Sequence, residues 1–424
     1  MDINKDVVVV GAGGGGALLG LILARKHINA MVLEQASGPP TGLRGEILQP
    51  NGQQILAKHG LLERIPADAV RSVRYFHFRR VGGKRLCTVD YAMLPEPYNQ
   101  ALVMWPNVVQ QTVLKVLESE GPGVLKYGSA FKRVLTEGGR VQGVEAEVEG
   151  KLIRIRAKLV VGADGPFSMV RKELKIPSQL HQYDESYLVA MLDCQDELEE
   201  SQYFVGKQTI LGLFPGAGKK VYVFYMIPSG TLSAMKESGT KILADRWKAI
   251  YPELSQTFNG LVDWQQTAYM GTGRVRAKTW VTDGAVLIGD AAHGMNPHAS
   301  QGRMQAMVDA DRLGDLIESC MKTDDWTGSS LKDFEMDRRP QVTMLQQLAD
   351  EEVFFWNTGN PVLSYLRDRV FMTIDGNPRL QYQVLTATAG LRETPPFTWL
   401  DRVQAAGLLP DSRAQYIPVH QSSS

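Results

Sequence analysis

The sequence predicts an α/β fold that opens with a βαβ unit. The apolar run Val7–Val10 contains no polar residue, which is typical of a strand buried on both faces of a parallel sheet. Apolar residues then recur at helical spacing across Ala17–Lys26, and a second apolar run, Ala30–Leu33, completes the unit. Together these observations favour a Rossmann-like start to the chain.

The strand and the helix are joined by GAGGGG, which has the Gly-x-Gly-x-x-Gly spacing at Gly11, Gly13 and Gly16. The first glycine permits a tight turn, the second lets a pyrophosphate approach the backbone, and the third allows helix and strand to pack closely. The N–H groups of the helix start, including that of Gly14, then face the phosphates. Glu34 ends the second strand at about the distance of 20 residues where a carboxylate accepts hydrogen bonds from a ribose diol. A glycine-rich turn without a ligand is the alternative, and the motif alone does not choose between NAD and FAD.

Composition limits the function classes. A chain of 424 residues suits two or three structural units, and Lys plus Arg and Asp plus Glu each total 46, so the formal net charge of zero gives no reason to expect a nucleic-acid partner. The cysteines Cys87, Cys194 and Cys320 form no CxxC, so we expect neither a disulfide framework nor a metal site. We also expect no signal peptide and no transmembrane segment, which predicts a cytoplasmic protein.

Two later segments carry further motifs. KLVVGADGPFSMVR contains a buried strand, Leu159–Val161, followed directly by an Asp-Gly pair at Asp164. WVTDGAVLIGDAAHGMNPHASQGRMQAMVDA contains a strand, Ala285–Ile288, that ends in Gly-Asp at Asp290, and a helix begins near 300–302. Both motifs therefore follow the carboxyl end of a strand, as the glycine turn does.

With these three motifs in this order and at these separations, the sequence resembles the flavoprotein monooxygenases of the p-hydroxybenzoate hydroxylase type, from about Asp6 to Pro340. The resemblance implies an FAD-binding domain (1–71, 105–184 and 270–345) interrupted by a mixed-sheet substrate domain (72–104 and 185–269), followed by a C-terminal helical segment (346–424). Residues 360–391 are similar to the C-terminal helices of the quinone-biosynthesis branch, which hints at an apolar aromatic substrate. Scaffold helices that close the pocket are the alternative.

The resemblance also implies which residues contact FAD. Asp290 would bind the ribityl chain, and the N–H groups at Gly302, Arg303 and Met304 would face the pyrimidine end of the flavin, where a helix dipole stabilises the reduced state. Pro297 would border the site where oxygen reacts. The other implied FAD contacts are Gly11, Gly13, Gly14, Gly16, Glu34, Gln35, Arg44 at the pyrophosphate and flavin edge, Gln110 (or its neighbour Gln111) at the ribityl-phosphate, and Val134 at the adenine.

The role of some motif residues is open to two interpretations. Asp164 either serves FAD and the nicotinamide donor, as in the family, or caps the following helix. His293 is expected to pack at a turn beside the flavin rather than to act in catalysis. Ser300 and Met304 depart from the family pattern, which has Gly and Asn, and we expect Ser300 to remove an option for positive φ from this loop.

Segments with the two-residue periodicity of β-strands predict the sheet of the substrate domain. TILGLFPGAGKKVYVFYMIP reads as a strand, a turn and a second strand. Candidate substrate contacts are His77, Tyr222, Phe224 and Tyr225, with plain sheet core as the alternative for each. No catalytic residue is identified, and Arg79 and Arg80 are expected at a solvated edge.

The resemblance thus implies an FAD monooxygenase that uses NADH or NADPH and O2 to hydroxylate or epoxidise an aromatic or electron-rich small molecule through a flavin C4a-hydroperoxide. A reductase or halogenase on the same scaffold is one alternative. A flavin-binding redox partner without a substrate of its own is another. The sequence leaves the oligomeric state open.

Overall fold

The computed structural model describes residues 2–43, 46–195 and 198–417. Its main sheet has the order β19-β20-β11-β1-β2-β8, with β10 paired antiparallel to β11 and β9 paired antiparallel to β10. The strands of this sheet, numbered along the whole chain, are β1 (Asp2–Val10), β2 (Ala30–Leu33), β8 (Leu125–Lys126), β9 (Ser129–Glu137), β10 (Arg140–Val148), β11 (Lys151–Gly162), β19 (Val281–Thr282) and β20 (Ala285–Leu287).

The carboxyl ends of four parallel strands meet at one edge of this sheet. Val10 of β1 lies opposite Gly162 of β11 and Leu33 of β2, and Gly162 in turn lies opposite Leu287 of β20. The residues that follow these strands are therefore neighbours, and they are the glycine turn, Glu34 and the Asp164 and Asp290 motifs. Ligands of open α/β sheets bind at this edge.

A second sheet joins strands from two separate parts of the chain in the order β17-β13-β16-β15-β14-β5-β6. Its strands are β5 (Tyr75–Arg80), β6 (Arg85–Asp90), β13 (Glu185–Asp193), β14 (Ser201–Gly206), β15 (Thr209–Gly216), β16 (Lys220–Pro228) and β17 (Thr267–Met270). Smaller sheets pair β3 (Glu46–Leu48), β7 (Ala101–Met104) and β4 (Val70–Val73), and β12 (Ser178–Gln182) with β18 (Gly273–Ala277).

The helices pack on both sheets and continue through the C-terminal part. They are α1 (Gly14–Arg25), α2 (Pro50–Lys58), α3 (Val108–Glu120), α4 (Met169–Glu173), α5 (Leu232–Glu237), α6 (Thr240–Ile250), α7 (Ser255–Asn259), α8 (Asp290–His293), α9 (Gly302–Thr323), α10 (Gly328–Trp356), α11 (Pro361–Asp375), α12 (Pro378–Thr388) and α13 (Trp399–Ala405). Within the described residues, no helix is both long and apolar enough to cross a membrane.

Small residues bring α1 and α9 into close contact. A Cβ on Gly15 would lie 2.7 Å from the carbonyl oxygen of Ala306, and one on Gly314 would lie 2.6 Å from a methyl carbon of Ile22. The two helices consequently run side by side, and their N-termini arrive at the same edge of the main sheet. The α/β class and the C-terminal helices predicted from the sequence are confirmed.

The helix after α9 contains a proline. This helix, α10, begins at Gly328, where the Thr327 side chain accepts a hydrogen bond from the Ser330 N–H. It continues through Pro340, although proline removes one helix hydrogen bond. Arg338, just before the proline, is buried in a side-chain network with α9, which holds this turn of the helix in place.

Candidate cofactor and substrate site

A cavity of about 500 Å³ lies at the carboxyl edge of the main sheet and extends to the second sheet. Its walls combine the glycine turn, the end of β2, the start of α9 and an aromatic part of the second sheet. Lining residues predicted from the sequence are Gly13, Gly14, Gly16, Glu34, Gln110, Asp290, Pro297, Gly302, Arg303, Met304, Tyr222 and Phe224.

The glycines of the turn have different surroundings. Gly11 has φ +100°, and a Cβ there would lie 2.4 Å from the carbonyl oxygen of Ala163. A Cβ on Gly16 would lie 2.0 Å from the carbonyl oxygen of Gly11, so this glycine closes the strand against the helix. A Cβ on Gly13 would meet nothing within 4 Å. Gly11 and Gly16 thus serve the packing of the turn, whereas Gly13 leaves space in the cavity.

Glu34 is fixed by the backbone of two loops. Its carboxylate accepts a hydrogen bond from the Ala12 N–H at 2.8 Å and another from the Ala36 N–H at 2.8 Å. Each oxygen still has a lone pair, so the carboxylate can also accept hydrogen bonds from a ligand in the cavity. Gln35 is exposed and is not among the described residues that line the cavity.

Of the two adjacent glutamines of α3, Gln110 lines the cavity. Gln110 is buried, lines the cavity and donates a hydrogen bond to the carbonyl oxygen of Ala12, whereas Gln111 donates one to the carbonyl oxygen of Pro40. Val134 lies half-buried on β9 and is absent from the described lining. Arg44 falls outside the described residues.

Asp164 acts as a local cap in this structure. Its carboxylate accepts hydrogen bonds from the Ser168 hydroxyl at 2.5 Å and from the N–H groups of Met169 at 2.7 Å and Val170 at 3.1 Å. Nearby, the buried Arg171 donates to the carbonyl oxygen of Ala291 at 2.6 Å. The Asp164 segment is thereby tied to the Asp290 segment.

The Asp290 turn is held by residues that the sequence analysis did not single out. Asp309 of α9 is fully buried and accepts hydrogen bonds from the Gly289 N–H at 2.9 Å and from Arg338 Nε at 2.9 Å, and it lies 2.6 Å from Nε2 of His293. Burial opposes ionisation of Asp309, but its interactions with His293 and Arg338 outweigh burial and lower the pKa of Asp309 to about 2. A charged residue on the apolar face of α9 is the signal that could have found it. His293 is thus buried and paired, in keeping with a packing role.

The loop before α9 differs from the conformation expected from the sequence. We expected Ser300 to remove a positive-φ conformation, and this is wrong: Ser300 itself adopts φ +53°. The neighbouring Gln301 is fully buried, accepts from Asn51 at 2.9 Å and donates to the carbonyl oxygen of Thr388 at 2.8 Å. These contacts of Gln301 hold the loop in place. They offset the cost of about 1–2 kcal/mol that a non-glycine residue such as Ser300 incurs in the left-handed conformation.

The start of α9 offers donors to the cavity. Its N-cap residue, Gln301, makes no side-chain cap, and no acidic residue stands in its first turn. A Cβ on Gly302 would lie 4.0 Å from Oδ1 of Asp290, so the backbone here approaches that carboxylate closely. α1 likewise has no side-chain cap at Gly13. Two positive helix ends therefore meet one cavity.

The second sheet forms the aromatic wall. Tyr222 and Phe224 line the cavity, whereas Tyr225 lies on the other face of the sheet, where its ring centroid is 6.0 Å from that of Trp247. Successive side chains of a strand point to opposite faces of the sheet, so Phe224 and Tyr225 lie on different faces. His77 lies 2.9 Å from the Thr88 hydroxyl and is not in the described lining. Arg79 donates to Gln202 at 2.8 Å, and Arg80 pairs with Asp368 at 3.1 Å.

These residues fit a flavin dinucleotide. The space above Gly13 and the two uncapped helix ends suit a pyrophosphate and an electron-poor ring, and Glu34 and Asp290 supply acceptors for ribose and polyol hydroxyls. In the described chain, no cluster of His, Cys, Asp and Glu could hold a metal ion.

Known proteins are similar to this chain over most of its length. The profile of a family described as FAD binding domain matches residues 4–349. The chain is 28% identical over 343 residues to a 6-methylpretetramide 4-monooxygenase of Streptomyces rimosus, covering 80% of this chain and 81% of that protein. It is 26% identical over 402 residues to a 3-demethoxyubiquinol 3-hydroxylase of Escherichia coli (strain K12), covering 91% and 98%. The crystal structure of a p-nitrophenol 4-monooxygenase from Pseudomonas putida DLL-E4 has the same fold, with a TM-score of 0.80, 20% identity and coverage of 92% and 99%.

Proposed function

Because this chain belongs to the FAD binding domain family of FAD-dependent aromatic monooxygenases, we propose that it hydroxylates or epoxidises an aromatic or electron-rich small molecule with O2 and with NADH or NADPH as reductant. One observation carries the proposal. The glycine turn, Glu34, Asp290 and the start of α9 line a single cavity that continues to an aromatic wall. A site that held only a nucleotide would not need this wall.

The chain's own residues would bind and orient the cofactor. The N–H groups at the start of α1 suit its pyrophosphate, and Glu34, fixed by Ala12 and Ala36, suits a ribose diol. Asp290, on the turn held by Asp309, suits the ribityl hydroxyls. The start of α9 suits the pyrimidine end of the flavin, where its dipole stabilises negative charge. When bound, reduced flavin supplies the activation of O2 for insertion of one oxygen atom into the substrate.

The aromatic wall would exclude water and orient the substrate. Tyr222 and Phe224 are buried side chains of β16 that face the cavity, and Tyr203 and Phe214 extend the same surface. An apolar, dry site favours transfer of the oxygen atom to substrate over loss as hydrogen peroxide.

A substrate-dependent oxygen assay tests the proposal. The FAD-reconstituted protein should consume O2 and NAD(P)H faster when aromatic phenols are added, and the product should gain one oxygen atom. Stimulated NAD(P)H oxidation without O2 uptake would instead identify a reductase, and NAD(P)H oxidation that only a protein partner changes would identify a redox partner.

A further inference from the structure

A second cavity, of about 530 Å³, lies between the second sheet and the C-terminal helices α10–α13. It meets the cofactor cavity at four residues that line both: Ile47, Tyr203, Phe214 and Ser300. A molecule held in this second cavity would therefore lie next to one held in the first.

The second cavity is large, and a cluster of aromatic side chains forms part of its lining. The Phe78 ring stacks on Tyr203 with a centroid separation of 5.4 Å and on Phe371 at 5.1 Å, and the edge of Trp356 packs on it at 5.3 Å. The volume is more than three times the roughly 150 Å³ of an engineered cavity that takes up one benzene. These properties suit an apolar body of several rings.

One carboxyl oxygen in this lining has no hydrogen-bond partner among the described residues. Glu352 of α10 is 8% exposed, and among the described residues nothing lies within hydrogen-bond distance of its buried Oε2. Burial, together with the nearby Glu351, raises the pKa of Glu352 to about 8. At neutral pH the group is therefore an uncharged acid whose O–H can donate a hydrogen bond.

The charged neighbours of Glu352 are already paired. Glu351, on the same helix, forms two hydrogen bonds of 2.9 and 3.0 Å with Arg402 of α13, and both side chains are half-exposed. Arg367 of α11 pairs with Asp368 at 2.7 Å. Neither arginine is left to neutralise the Glu352 carboxyl.

The other titratable groups of the lining are uncharged at neutral pH. Burial lowers the pKa of His298 to about 3, and it raises the pKa of Tyr91 and Tyr203 above that of free tyrosine. Burial also raises the pKa of the Cys87 thiol to about 12. Glu352 is thus the group in the described lining whose charge changes between neutral and mildly alkaline pH.

We propose that this cavity holds the body of an uncharged, multi-ring aromatic substrate and that Glu352 binds an oxygen substituent on it by donating a hydrogen bond. The inference rests on the proposed function, since it names the substrate class and a specificity-determining residue of the same site. A buried polar atom without a partner is costly, and an oxygen-bearing ligand would supply the missing partner.

Equilibrium dialysis of the FAD-loaded protein against two probes of matched shape tests this. 2-Methoxynaphthalene carries an oxygen that accepts a hydrogen bond, and 2-ethylnaphthalene has a methylene group in its place. The measured quantity is the ratio of the two dissociation constants in the native protein, E352Q, E352L and the control D337N, which changes an exposed carboxylate of the same helix. Each is measured at about pH 6.5 and about pH 9.5, on either side of the Glu352 pKa.

At the lower pH the native protein and D337N should favour the methoxy probe about tenfold more than E352L does, as expected for one buried hydrogen bond. At the higher pH this preference should disappear, because the carboxylate no longer donates. E352Q should keep it at both pH values through its amide N–H, which tests the idea even if E352L does not fold. Equal ratios in native protein and E352L, or a native ratio independent of pH, would overturn the proposal. The dialysis measures binding without turnover. A negative result in the oxygen assay would therefore count against the proposed reaction and not against the binding role of Glu352.

Discussion

The Glu34 carboxylate accepts a hydrogen bond from the Ala12 N–H at 2.8 Å, which joins the end of β2 to the glycine turn. The second carboxylate oxygen accepts from the Ala36 N–H at the same distance. Two loops at the cavity wall are therefore positioned by one side chain, which also faces the space where a ribose would lie.

Replacing this carboxylate should weaken cofactor binding. In Glu34→Ala we expect the dissociation constant for FAD to rise at least about tenfold, because charge-assisted hydrogen bonds are lost and Ala12 and Ala36 are no longer held. Flavin fluorescence titration measures it. Glu237→Ala, an exposed residue of α5, is the control and should bind FAD like the native protein. Equal affinities for the two variants would contradict the role given to Glu34.

Two glycines of the turn should respond differently to substitution. Gly13→Val adds a side chain in open space, so it should leave the melting temperature nearly unchanged and yet reduce FAD affinity at least tenfold. Gly16→Ala places a Cβ 2.0 Å from the carbonyl oxygen of Gly11, so it should destabilise the protein itself by about 2 kcal/mol. Thermal unfolding without FAD, together with FAD titration, separates the effects. A Gly13→Val protein that binds FAD normally would place the pyrophosphate elsewhere.

The network around Asp309 should be important for stability. Asp309→Asn leaves the buried Arg338 without its anion, and we expect the free energy of unfolding near pH 7 to fall by about 3 kcal/mol. Asp337→Asn, on the exposed face of α10, is the control, with an expected effect below about 1 kcal/mol.

The pH dependence of this difference gives a second check. Asp309 has a lowered pKa of about 2, so its stabilising contribution is present above the usual carboxyl pKa of 3.8 and is lost as the pH falls through 2. The gap between native protein and Asp309→Asn in urea unfolding should therefore shrink below about pH 4. A gap that stays constant down to acid pH would show that the charge of Asp309 does not matter.

The contribution of Glu352 to stability should depend on pH in the opposite direction to that of Asp309. Its raised pKa of about 8 means that the folded protein retains a proton which the unfolded chain releases near 4.5, so stability is lost as the pH rises from 4.5 through 8. Glu352→Gln removes this loss, and its stability relative to the native protein should increase by on the order of 2–4 kcal/mol between about pH 5 and pH 9. Asp337→Asn, which changes an exposed carboxylate of the same helix and leaves the Glu351–Arg402 pair in place, should show little of this effect. A parallel pH dependence for native protein and Glu352→Gln would mean that Glu352 is ionised in the fold.

The sequence predicted the parts of the site that depend on local pattern. The β1–α1–β2 unit and the Asp-Gly and Gly-Asp turns follow from strand, turn and helix signals a few residues apart, and they meet because parallel strands end at one edge. FAD as the dinucleotide came from the resemblance, not from the glycines alone.

Tertiary contacts decided what the sequence left open. Strand period predicts alternation but not which face is inward, so Tyr222 and Tyr225 could not be separated until β16 was placed in its sheet. Asp309 and Arg338 lie 29 residues apart, and Gln301 is held by Asn51 and Thr388, contacts that no local pattern specifies. Glu352 stands beside Glu351 in a helical pattern, and only packing distinguishes the buried carboxyl from the exposed one.

The central claim is that one FAD occupies the cavity between the glycine turn and the Asp290 turn. The most direct measurement is the absorption spectrum of the purified protein after incubation with FAD and removal of free cofactor, quantified per chain. We expect the two visible flavin bands at one FAD per chain in the native protein and their loss in Gly13→Val. A correctly folded native protein that retains no flavin absorbance, or a Gly13→Val protein that retains it in full, would show that FAD does not occupy this cavity.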